Sequence, residues 1–201
     1  MAEIASPAAK PSLAGWIARD LILTLLMAAA LWGLSLWQGR APSMVSTVLV
    51  PSLAFIAAYA LCYVYHEWGH LLGARFAGAC MPLLPYAGAL LGSFDLEAHS
   101  RRQFLWLSWG GVAGYVLTLV LALALYSAGT LGLAGAGFAV GALAFNVQSL
   151  SVDVPQILRV QGGADIVQTT AEGGNARTIL RRTWQSWSAL ALVLVTWNLL
   201  R

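Results

Sequence analysis

The chain has 201 residues, of which 59 % are hydrophobic and 9 % charged, with a formal net charge of +3. Soluble domains carry charge on about a quarter of their residues, so this composition excludes one and predicts an all-α, polytopic integral membrane protein in a lipid bilayer. The small charge, with no basic patch interleaved with aromatics, gives no nucleic-acid signature. Cys62 and Cys80 lack CxxC spacing, which excludes a disulfide framework or a cysteine zinc site.

Residues 1–12 are polar and rich in Ala and Pro, without the basic start, apolar stretch and cleavage site of a signal peptide. They are expected to form a disordered tail ahead of a single membrane-embedded domain over residues 13–201. The first span is expected at 16–37, with tryptophans at both ends as interfacial anchors. Gly39, Arg40 and Pro42 then break the helix.

From Val45 to Ala79 the only charged residues are Glu67 and Arg75. This run is too long for one upright span. A helix from Pro51, tolerated in a first turn, to Arg75 at the interface fits best. Inside it lies His66-Glu67-Trp68-Gly69-His70. Histidines at i and i+4 share one helix face and can hold a single zinc ion, and the intervening glutamate is placed to act as a base. At the helical rise, His70 and His66 lie roughly 7 and 13 Å inside Arg75, submerged but near one face.

Residues 78–100 contain Pro82, Pro85, Gly88 and Gly92 among largely apolar neighbours. That pattern predicts a re-entrant loop or short β-hairpin covered by the helices; an interfacial loop without a role is the competing expectation. Asp95, Glu97 and His99 alternate with Phe94, Leu96 and Ala98 as in a short strand, with the polar set facing solvent.

Further spans are expected at 104–126, where Gly110, Gly111 and Gly114 allow close helix approach, and at 131–150, whose Asn146 and Gln148 need partners. The polar stretch 151–182 is expected to hold a short helix around 155–160, and 184–200 is a fifth, shorter span. Lys10, Arg19, Arg75, Arg101, Arg102, Arg159, Arg177, Arg181 and Arg182 then fall on one side, against Arg40 and Arg201 on the other. The positive-inside rule places the N-terminus and the motif toward the cytoplasm and the C-terminus outside, in an inner or plasma membrane.

A hydrolytic zinc site usually takes a third protein ligand. Asp153, at the cytoplasmic end of the fourth span, is the first candidate; Asp165, after Gly162-Gly163, is the runner-up; His99 or no third ligand are the remaining options.

The motif continues through Ala74-Arg75 to Gly78, and in this form it resembles the HExGHxxxARxxG signature of the site-2 protease (M50) intramembrane metalloproteases. Phe145-Asn146 followed by Asp153 resembles their second motif, NxxPxxxxDG, with Ser149 for the proline, one residue fewer before the aspartate, and Val154 for the glycine. The resemblance implies a zinc-dependent endopeptidase that cleaves a transmembrane helix of a membrane protein near the cytoplasmic face. It also implies zinc on His66, His70 and an aspartate, Glu67 as catalytic base, and Asn146 as a hydrogen-bonding group for the substrate backbone. The segment 81–97 would add a strand edge for the unwound substrate. The alternative expectation is a catalytically inactive, protease-like membrane protein that binds or regulates a partner.

Overall fold

The computed structural model of the protein describes residues 11–86 and 90–199, with side chains described up to residue 188 except 186. It is all-helical, in the order α1 (Leu13–Arg40), α2 (Met44–Phe76), α3 (Arg101–Ser127), α4 (Gly132–Gln161), α5 (Ile166–Gly173) and α6 (Ala176–Leu199). Among the described residues, four helices, α1 to α4, are long and apolar enough to cross a membrane, which makes this a polytopic membrane protein. The expected fifth span, 184–200, coincides with much of α6, but its side chains from 189 onward and residues 200–201 lie outside the described residues.

Helix starts follow local chemistry. Ser43 and Ser46 form a capping box at α2, and Ser100 and Gln103 another at α3, each satisfying two backbone donors that the helix leaves open. Ser12 caps α1 through its hydroxyl, so the expected tail gives way to defined structure by Ser12, while residues 1–10 lie outside the described residues. The chain leaves α2 through Gly78 at φ 72, a backbone conformation that glycine adopts without cost.

Two helices run further than their prolines predicted. α2 begins at Met44, which puts Pro51 inside the helix rather than in its first turn. α4 continues through Pro155 to Gln161, so the short helix expected around 155–160 is its last part and Asp153 sits within α4 rather than at its end. Proline removes one intrahelical hydrogen bond, a loss that membrane helices tolerate where neighbours cover the backbone. At Pro51 the neighbour is Gly137, where an added Cβ would meet the Pro51 carbonyl at 2.2 Å. Near Pro155, Arg182 of α6 donates to the Val152 carbonyl at 3.2 Å.

α2, α3 and α4 pack mainly on one another, and α1 lies along their side. Glycines set the α2/α3 approach: an added Cβ on Gly69 would stand 2.1 Å from the Gly110 carbonyl oxygen, and one on Gly114 2.1 Å from that of Tyr65. Small residues let backbones approach in a medium that provides no hydrophobic force between helices. α1 buries Trp16, Asp20 and Leu31 and exposes Leu21, Ile22, Leu25 and Leu26, a surface suited to lipid.

Between α2 and α3 the chain doubles back as a hairpin-like loop, held by one antiparallel bridge between Leu83 and Gly92 rather than by strands. Leu84 N–H donates to the Leu91 carbonyl at 3.1 Å and Ser93 N–H to that of Pro82 at 3.0 Å. The expected strand over 94–99 is instead a turn. Asp95 Oδ1 accepts from the backbone N–H groups of Glu97 and Ala98, and this local bonding competes with extended structure. Asp95 and Glu97 are exposed, as expected.

The N-terminal end of α1 grips this loop. Trp16 donates to the Leu84 carbonyl at 3.0 Å, Arg19 to that of Tyr86 at 3.0 Å, and the Tyr86 hydroxyl accepts from Ser12 N–H at 2.6 Å. A compact apolar cluster of Trp16, Leu71, Met81, Leu91 and Leu107 lies beneath. The loop thereby rests on the end of α2 that carries the histidines.

Candidate metal centre

α2 presents the motif to three different neighbours. His66 and His70 point toward α3 and α4, Trp68 toward α1, and Glu67 toward the loop, as helical spacing dictates. His66 Nε2 and His70 Nε2 stand 3.0 Å apart. Together with Glu67 they form a set whose ligand atoms all lie within 4.8 Å of one another.

The other ring nitrogens fix what those two atoms can be. His70 Nδ1 lies 2.9 Å from the Leu107 carbonyl oxygen, which can only accept, so Nδ1 carries the proton. A neutral His70 then has its lone pair on Nε2. The His66 Nδ1 is buried with no hydrogen-bond partner, so no backbone group fixes the tautomer of that ring. With its proton on Nε2, His66 donates to the His70 lone pair at 3.0 Å; with its proton on Nδ1, two lone pairs face each other across a gap that a cation fills. Two nitrogens on one tetrahedral zinc sit about 3.3 Å apart, from bonds of about 2.05 Å. The pair therefore fits a metal ion, and the Leu107 carbonyl on His70 is a partner of the kind that orients a ligating histidine.

The neighbouring helices hold this geometry closely. A Cβ on Gly111 would stand 2.4 Å from His70 Cε1, so the imidazole occupies the space a side chain would take. Tyr115 lies against His66 with ring centroids 5.4 Å apart, and Phe145 closes the other side at 6.2 Å. Glu67 is 7 % exposed, and its Oε2 accepts from Leu91 N–H of the loop at 3.2 Å.

The remaining predicted residues divide by location. Asp153 lies on α4, its side chain interacts with Tyr115, and its Oδ2 is buried without a hydrogen-bond partner. It is not a member of the three-residue set. Asp165 is exposed and caps α5, accepting from Gln168 N–H at 2.8 Å. Glu172 of α5 is bonded by Arg159 of α4 and by Gln168, which hold its carboxyl below the usual range. His99 is engaged inside the loop: its Nε2 accepts from Cys80 N–H at 3.1 Å, its Nδ1 lies 2.7 Å from the Asp95 carbonyl, and its ring stacks on Phe94. Asn146 is fully buried beside Tyr115. Its amide donates to the Tyr115 and Ala142 carbonyls at 3.1 and 2.9 Å, and Oδ1 has no partner. Gln148 has the partner it needed in the Tyr59 hydroxyl.

Sequence reasoning missed Tyr115, Leu91 and Asp20. Tyr115 carried no signal in an apolar span, and Leu91 acts through its backbone. Asp20 did carry one: an acid eight residues into a helix that faces lipid needs a partner. That partner is Trp68, whose indole donates to Asp20 Oδ2 at 2.7 Å. No known protein family, curated protein or solved structure matches the chain.

Proposed function

We propose that this chain is a zinc-dependent intramembrane endopeptidase acting on a transmembrane segment of another membrane protein. The observation that carries the reading is the convergence of His66 Nε2 and His70 Nε2 at 3.0 Å beside Glu67, with a backbone carbonyl accepting from the far side of the His70 ring. His66 and His70 would hold the zinc, with Asp153 as the proposed third ligand. A zinc ion so held supplies Lewis acidity and makes water nucleophilic near neutral pH.

The chain's own residues supply the rest. Glu67 takes the proton of the attacking water and returns it to the leaving amine. Its buried surroundings exclude bulk water, and Leu91 N–H orients its carboxylate. Asn146 retains one acceptor, Oδ1, suited to a peptide N–H of the substrate. The loop edge at Leu83 and Gly92 offers backbone for an unwound segment to pair with. In this reading the N-terminus and the site face the cytoplasm and the C-terminus lies outside, because the basic residues concentrate at that end of the bundle.

The test is purified protein with about one zinc per chain, assayed on a panel of single-span membrane proteins. Glu67→Gln should retain zinc and lose cleavage; full activity in that variant overturns the proposal. A second reading, a noncatalytic partner-binding protein, is favoured by the Leu91 N–H already seated on Glu67. It predicts zinc binding and substrate capture without any product.

A further inference from the structure

Two polar atoms, on Tyr115 beside His66 and on Asp153, lack hydrogen-bond partners. The Tyr115 hydroxyl belongs to a residue with no exposed surface, in the middle of α3, and the Asp153 Oδ2 belongs to a carboxyl on α4. Leaving either alone in an apolar interior costs about 1–3 kcal/mol, so two such groups in one place indicate a shared purpose. They face each other: the side chains of Tyr115 and Asp153 interact, although no hydrogen bond of standard geometry closes between them. The ring of Tyr115 meanwhile rests on His66 at 5.4 Å and on Phe145 at 5.8 Å, and its carbonyl accepts from Asn146.

We propose that Tyr115 is a positioning residue that couples Asp153 to the histidine pair, its unpartnered hydroxyl closing onto the Asp153 carboxylate when metal binds while its ring rests on His66. This inference rests on the zinc reading above. A metal site needs its carboxylate held in one orientation, and groups that hydrogen-bond a ligand typically change metal affinity about 10–100-fold when removed. Tyr115 is the residue placed to do this because it contacts elements of both α2 and α4 from α3. Phenylalanine at the same position would keep the ring contacts and lose only the hydroxyl.

The experiment is a double-mutant cycle on the full chain in detergent, read by competition between the protein and a zinc chelator, with the visible absorption of the cobalt-substituted protein as a second readout. Tyr115→Phe and Asp153→Asn should each weaken zinc binding by about 10–100-fold, and the double variant should be no weaker than the worse single one. The cobalt spectrum of Tyr115→Phe should shift in the direction given by Asp153→Asn, while the thermal unfolding of the metal-free protein stays as in the unsubstituted chain. Wild-type affinity in Tyr115→Phe, or losses that simply add, overturns the coupling and leaves the zinc reading intact. Absence of zinc binding in the unsubstituted chain overturns both.

Discussion

Trp68 Nε1 donates to Asp20 Oδ2 at 2.7 Å, and Asp20 Oδ1 accepts from Arg19 at the same distance. The contact joins α2 to α1 through Trp68, on the face of the helix away from the histidines. Asp20 is 5 % exposed, so its loss leaves the half-buried Trp68 indole N–H without its acceptor. Asp20→Ala should destabilise the fold by about 1–3 kcal/mol, measured by thermal unfolding in detergent. Asp20→Asn, which can still accept from Trp68, should cost less. Zinc stoichiometry should be unchanged in both, because the histidines are positioned by α3 rather than by α1.

The glycines between α2 and α3 give a sharper test, since two close approaches there have different consequences. An added Cβ on Gly111 meets His70 Cε1 at 2.4 Å, whereas one on Gly69 meets the Gly110 carbonyl oxygen at 2.1 Å. A side chain can turn aside and a packed backbone cannot. Gly111→Ala should therefore displace the His70 imidazole and weaken zinc binding at least about tenfold, with moderate loss of stability. Gly69→Ala should separate α2 from α3 and cost about 1–3 kcal/mol. Gly33→Ala, where nothing lies within 4 Å, serves as the control and should leave both properties as they are.

The convergence of His66 and His70 and the membrane helices were legible because each rests on a local pattern. His66 and His70 share a helix face by spacing alone, and four long apolar stretches required helices in lipid. What was not legible depends on partners distant in sequence. Nothing around Leu107 marks its carbonyl as the acceptor for His70, and Leu91 reaches Glu67 through backbone, which has no sequence signature. The proline rule misplaced the start of α2 and divided α4, because cover from Gly137 and Arg182 outweighs one lost hydrogen bond. Alternation at 94–99 imitated a strand, but the Asp95 carboxylate closes a turn there.

The alternative ligands separate by the work they already do. Asp165 caps α5, and His99 is bonded within the loop to Cys80 and Asp95. Asp165→Ala should loosen α5 by about 0.5–2 kcal/mol, the usual worth of an N-cap, seen as faster amide exchange over residues 166–173. His99→Ala should raise exchange around Cys80, whose N–H loses its acceptor. Both variants should bind zinc as the unsubstituted chain does. A loss of stoichiometry in either, measured by metal analysis after dialysis, would reassign the third ligand.

The two cysteines report on orientation without any engineering of the chain. Cys62 is buried in the main core, and Cys80 is exposed in the loop just beyond α2, at the end that carries Arg75. Free thiols react as thiolates, and an accessible one reacts readily while a buried one is inert. A membrane-impermeant maleimide should therefore label one site per chain, and Cys80→Ser should abolish that labelling. If the basic end of the bundle is cytoplasmic, as the arginine distribution argues, label should enter in inside-out vesicles and not in intact cells. Labelling of intact cells would reverse the orientation and put His66, Glu67 and His70 on the outer side, since Cys80 follows the same helix by only four residues after Phe76.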